Sequence, residues 1–196
     1  MLKTGDQYRD SLRDGREVFI NGETVKDVPS HPAFKPIVDV RARIYDMAHE
    51  EKFAGTMAYE KDGEKFATSW QPPHTQADWW AKRDWVNMVM REIGGVVTRV
   101  GDETVGEMWS LADGKDILNQ VDNSWAANID NHIENVLRND IFHVSANTDP
   151  KGDRSKAPQD QDPDMLLHVV KETDTGVVVR GAKYETAAAY AHQAFV

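Results

Sequence analysis

Residues 148–164 read TDPKGDRSKAPQDQDPD, a stretch of five aspartates, three cations, three prolines and one glycine with almost nothing apolar. Lys151, Arg154 and Lys156 are interleaved with Asp149, Asp153, Asp160, Asp162 and Asp164. Gly152 tolerates left-handed backbone angles, so successive N–H groups here could turn one way and cradle an anion. Arg154 offers a planar fork of donors that matches phosphate oxygens. A second chemistry is calcium binding through the aspartates, but the spacing is not that of an EF-hand loop and three cations sit among the acids. GDRSK also lacks the order and the flanking glycines of a phosphate-binding P-loop. A third reading is a solvated linker, which the composition alone allows.

Other polar residues carry less. His31 precedes Pro32 and starts a turn. His132 and Glu134 fall on a helix without a matching metal partner, and His168 is a packed strand residue. No metal site is expected.

The elements around the loop must position it. The chain has 196 residues, 40% hydrophobic and 29% charged, with a formal net charge of −10. That balance suits a folded domain and speaks against nucleic acid or an anionic membrane surface as partner. There is no cysteine, which excludes disulfides, thiolate nucleophiles and cysteine-held clusters within this chain. No apolar run is long enough to span a bilayer, no signal-peptide core opens the chain, and the default expectation is a cytoplasmic protein.

Thr4 caps a helix running to Leu12, with Gly15 beyond it. EVFINGETVKDV alternates around Asn21-Gly22 and predicts a type I′ hairpin; MAYEKDGEKFATSW does the same around Asp62-Gly63. Helical spacing runs from Phe34 to His49. The clearest helix starts after Thr75, with Asp78 three residues on, and stops at Gly94-Gly95. Its many apolar residues predict burial on more than one side, and the six tryptophans are expected in the core and at a domain interface. Two more helices fit Glu103–Leu118 and Asp122 to about Asp140. After the polar loop, MLLHVVKE and GVVVRGAKY read as paired strands. The β part looks unfinished, as though a second domain were cut, because two strands alone are marginal in water.

TDPKGDRSKAP…DQDPDMLLHVVKETDTGVVVRGAKY resembles the oxygenase components of two-component, FAD-dependent aromatic hydroxylases, the 4-hydroxyphenylacetate 3-monooxygenase and 4-hydroxybutyryl-CoA dehydratase superfamily. TGDQYRDSLRDGREVFINGETVKDV followed by HPAF, and SWQPPHTQADWWAKR, extend the resemblance over almost the whole chain. It implies an α+β, acyl-CoA dehydrogenase-like fold. Residues 1–147 would form a mostly helical N-terminal domain with β-hairpins. Residues 148–196 would form the flavin-contacting loop and the first strands of a middle β-barrel domain, with the remainder and a C-terminal bundle missing.

The resemblance also implies roles. In GGVVTRVGDE, Arg99 takes the place of an arginine at the aromatic substrate, where a fixed cation lowers a phenol's pKa. Glu103 stands where many hydroxylases have a tyrosine; it would neutralise Arg99, act as a base, bind a heteroaromatic N–H, or serve only as a first-turn glutamate. A family histidine falls on Ser145, and His143, two residues earlier on the same face of an extended segment, would replace the missing base or simply pack. Flavin contacts map onto Ser145, Asn147, Thr148, Lys151, Gly152, Asp153, Arg154, Ala157 and Gln159, with a later contact at Thr186 or Ala187.

The implied activity is hydroxylation of an aromatic or heteroaromatic ring through a C4a-hydroperoxyflavin. It uses O2 and FADH2 supplied by a separate flavin reductase, in a homo-oligomer (dimer or tetramer) when full length; the chain alone would be inactive. The dehydratase branch needs cysteine ligands near Arg99, where Val100 stands instead. A stand-alone, non-catalytic helical binding module is the other alternative.

Overall fold

The computed structural model describes residues 2–96, 102–185 and 187–196, and the side chains of all of these except 102–104. Among the described residues six α-helices and eight short strands follow one another, the helices concentrated before residue 140. Helix α1 (Gly5–Ser11) begins at a capping box in which Thr4 and Gln7 satisfy each other's backbone N–H groups. The hairpin of β1 (Val18–Ile20) and β2 (Glu23–Val25) turns at Asn21 (φ 51°) and Gly22 (φ 83°). That of β3 (Ala58–Lys61) and β4 (Glu64–Ala67) turns at Asp62 (φ 54°) and Gly63 (φ 78°). Both are the paired left-handed residues that a type I′ turn requires.

Helix α2 (Lys35–Met47) carries Pro36 in its first turn, and α3 (Glu51–Met57) follows it. The second helix is absent from the sequence expectation, because seven residues are too few for a periodic pattern. Helix α4 (Gln76–Glu92) has the Thr75–Asp78 capping box expected of it. Its burial differs from expectation. Trp85, Val89 and Ile93 form a single buried seam, spaced four apart, while Trp79 and Trp80 are 57% and 49% exposed. Trp80 lies instead under the Arg83 guanidinium at 4.0 Å. Three of the six tryptophans, Trp79, Trp80 and Trp125, are exposed, so the expectation of a core position is corrected for these three. An apolar count does not reveal which side of a helix meets a neighbour.

Helices α5 (Asp102–Leu118) and α6 (Ser124–Asn139) pack on each other. Asp140 ends α6 in a left-handed conformation (φ 44°) and the chain passes at once into β5 (His143–Ser145). Strand β5 is buried throughout and pairs in parallel with β8 (Gln193–Phe195), in register His143↔Gln193, Val144↔Ala194 and Ser145↔Phe195. Parallel strands need a long crossover. Here the crossover holds the polar loop and the antiparallel ribbon of β6 (His168–Thr173) and β7 (Gly176–Arg180). The loop is long because it joins two parallel strands. The apolar residues Ala194 and Phe195 lie in the second strand of this pair.

Two of the three cores flank β5. Phe142 and Val144 point into one with Tyr8, Leu12, Tyr45 and Tyr190. His143 and Ser145 alternate to the other side, toward Trp70, α5 and α6. The third core, of Ile44, Met47, Trp85 and Val89, joins α2 to α4.

Candidate functional site

Strand alternation puts His143 and Ser145 on one face, as expected from an extended segment. His143 is 1% exposed. Its ring lies between Trp70 (5.4 Å between centroids), His132 (5.2 Å) and Phe195 (5.0 Å). Nε2 is 2.7 Å from Gln193 Oε1, so Nε2 carries the proton and donates it; Nδ1 is a buried acceptor with no partner among the described residues. Burial holds its pKa down at about 4, despite the Gln193 hydrogen bond, and the imidazole is neutral near pH 7. His132 is also held low by burial, and its Nε2 is a second buried atom without a partner among the described residues.

Ser145 is 5% exposed, with Oγ 2.6 Å from Glu107 Oε1 and 2.6 Å from Asn147 Oδ1. A hydroxyl has one proton, and donation to the charged carboxylate is the stronger of the two bonds. Glu107 Oε2 is a buried atom with no hydrogen-bond partner among the described residues. The sequence reading passes over Glu107. Its available signal is its place one helical turn after Glu103, on the same face of α5.

Asn147 begins the exposed loop. Thr148 bridges to Tyr184, whose N–H donates to Thr148 O at 2.8 Å, and Lys183 pairs with Asp149 at 2.7 Å. Gly152 has φ 51°, and a Cβ there would collide with Gln161 Oε1 and Met165 Sδ. Gln161 Oε1 accepts the Asp153 N–H at 2.7 Å, and Asp153 Oδ1 accepts the Ser155 N–H at 3.0 Å. Two N–H groups of the expected anion cradle are thus committed to side chains of the loop itself. Ala157 leads into a 3-10 turn, Pro158–Asp160, that contains Gln159. Lys151 and Arg154 are exposed and show no ion pair among the described residues. The segment is therefore a tied loop rather than a free linker. Among the described residues no three His, Asp or Glu side chains are grouped to hold a metal ion, and no helix is long and apolar enough to cross a membrane.

Ala187 is 1% exposed in the core beside Tyr190, and its N–H donates to Glu185 Oε1 at 3.0 Å. Arg99 and Thr186 lie outside the described residues, and so does the side chain of Glu103, whose backbone is in the first turn of α5.

Comparisons with known proteins follow this geometry. The oxygenase component of 4-nitrophenol 2-monooxygenase from Rhodococcus sp is 33% identical over 183 residues, covering 92% of this chain and 34% of that protein. A crystal structure of the oxygenase component of 4-hydroxyphenylacetate 3-monooxygenase, complexed with FAD and 4-hydroxyphenylacetate, superposes with a TM-score of 0.75 at 27% identity, over 92% of this chain and 38% of that one. An oxygen-tolerant archaeal 4-hydroxybutyryl-CoA dehydratase from N. maritimus superposes at 0.83 and 26% identity, over 98% and 39%. The chain thus spans well under half the length of the relatives it matches, and it shares the acyl-CoA dehydrogenase-like fold of the matching part. A family model described as 4-hydroxyphenylacetate 3-hydroxylase N terminal matches residues 4–196, and the chain belongs to that family.

Proposed function

We propose that this chain supplies the flavin-facing loop and part of the substrate pocket of an oxygenase that hydroxylates an aromatic or heteroaromatic ring. The reaction uses O2 and reduced FAD delivered by a separate reductase, in a protein that is a dimer or tetramer when intact. The observation that carries this reading is the loop: a left-handed Gly152 clamped by Gln161 beside two exposed cations with no ion pair among the described residues, tied at its root through Asn147 to the part-buried Ser145–Glu107 pair. That donor set fits the phosphates and the polar ring edge of a flavin nucleotide. Relatives of the same family are named as oxygenase components, and one is complexed with FAD.

Bound reduced flavin supplies the activation of O2. The chain's own residues bind, orient and exclude water. Lys151 and Arg154 hold phosphate oxygens, and Gly152 and Asp153 set the turn that aims them. Ser145, Asn147 and Thr148 meet the ring edge, with Ala157, Gln159 and Thr186 completing the contact, while Ala187 backs it from the core. Arg99 pairs with the substrate's phenolate or carboxylate, and Glu103 handles its proton. His143 is neutral, so its part is to accept a hydrogen bond at Nδ1 rather than to carry charge.

The dehydratase branch is favoured by the 0.83 superposition, but the chain has no cysteine for the cluster that branch requires. The test uses the product of the intact gene with FAD, NADH, a flavin reductase, oxygen-18 gas and a panel of phenols and N-heteroaromatics. Mass spectrometry is expected to find one labelled oxygen in a ring-hydroxylated product. FAD bound with no labelled product from any compound would overturn the activity, leaving a binding module.

A further inference from the structure

Glu107 is the one side chain at this site whose charge is half answered. Oε1 accepts from Ser145, and Oε2 is buried with no partner among the described residues. A carboxylate oxygen taken from water without a hydrogen bond is costly, and folded proteins rarely keep one without a ligand or water to fill it. Glu107 projects from α5 where that helix meets the buried strand β5. The exposed residue recorded on the cluster is Asn147, bonded to the same serine hydroxyl, so the approach to Glu107 runs past the start of the loop.

We infer that Glu107 is a specificity-determining residue that accepts a hydrogen bond from a hydroxyl or ring N–H of the bound aromatic. This rests on the proposed oxygenase reading and goes beyond it by selecting substrates that carry a donor. Ser145 is the positioning residue, holding the carboxylate by its other oxygen. No bond is made or broken in this step; the donor keeps its proton. A site with a buried acceptor discriminates strongly against an isostere without the donor, because the acceptor then stays unpaired.

The experiment titrates the FAD-loaded intact protein with 4-nitrophenol and with its methyl ether, 4-nitroanisole. Wild type is expected to bind the phenol at least about tenfold more tightly. Glu107→Gln keeps the side-chain volume and the serine bond but can turn an amide N–H toward the ligand. It is expected to bring the two affinities within about twofold of each other. The neutral and anionic forms of 4-nitrophenol absorb at different wavelengths, giving a readout that a merely structural role would not move. Bound to wild type the phenol is expected to ionise at higher pH than when bound to Glu107→Gln. Ser145→Ala, with circular dichroism to confirm folding, is expected to show an intermediate loss of discrimination, and it serves if the glutamine variant does not fold. Unchanged discrimination and ionisation in the variants would overturn the inference and leave the oxygenase reading intact, with Oε2 serving only a structural water. Failure of the FAD-loaded wild type to bind either compound would overturn the inference, while the oxygen-18 panel decides the oxygenase reading separately.

Discussion

The helical body and the loop-and-ribbon crossover are built on opposite principles. In the body, side chains such as Tyr8, Trp70, Val89 and Val136 are at most 2% exposed, and β5 is buried at every position. In the ribbon, every residue of β7 is exposed, and Val169, Val177, Val178 and Val179 lie 47–60% open on both faces. A two-stranded ribbon is marginal on its own, and contiguous exposed valines mark a surface meant for contact. The body is held by its own packing. The crossover is held at its ends, by the Thr148–Tyr184 bridge and the Asp149–Lys183 ion pair, and is otherwise open to whatever covers it. The difference separates stability from binding: substitutions in the body should register in unfolding, and those in the crossover in ligand affinity.

The largest effect is expected from Trp70→Ala, which empties a 2%-exposed site in the core formed with α5 and α6 side chains and beside His143 of β5; about 3–5 kcal/mol should disappear from the urea-unfolding free energy. The acid limb of stability comes next. The unfolded His143 takes a proton near its ordinary pKa of 6.5, whereas the folded one resists until about pH 4. Below 6.5 the unfolded state binds more protons, so stability is full above that pH and falls as pH drops toward 4, by about 3 kcal/mol from this residue. Urea titrations of His143→Gln across this range should show a shallower slope; an unchanged slope would assign the acid sensitivity elsewhere, His132 and His192 being the other imidazoles held low by burial, His192 at about 3.

Gly152→Ala forces a side chain into left-handed backbone and into Gln161. Because the loop is exposed, thermal melting should record a loss of only about 1 kcal/mol, while FAD affinity drops about tenfold. Smallest of all, Val178→Thr, at 47% exposure, should change the stability of this chain by under about 0.5 kcal/mol. A loss as large as that at Trp70 would erase the contrast between the two regions.

Local chemistry in the sequence was legible where it is local in the fold. Asn21-Gly22 and Asp62-Gly63 dictate their turns, and the Thr75–Asp78 pair dictates the start of α4, because the atoms concerned are within four residues. The pairing of β5 with β8 could not be read, since three-residue strands fifty positions apart leave no periodic trace. The burial of α4 was overstated for the same reason: Trp79 and Trp80 count as apolar, but their exposure depends on which helices arrive beside them. At the site, the loop's cations and glycine were visible as composition. Gln161, which clamps Gly152, and Glu107, which holds Ser145, were not, because their roles follow from contacts across 8 and 38 residues.

The central claim is that the loop grips a flavin nucleotide through its phosphates. The direct measurement is a fluorescence titration of the intact protein with FAD and with riboflavin, which shares the ring and lacks the phosphates, for wild type and a Lys151→Ala, Arg154→Ala double variant. FAD binding is predicted to weaken by about tenfold or more while riboflavin binding stays the same. Equal losses for both ligands, or none for FAD, would contradict the account.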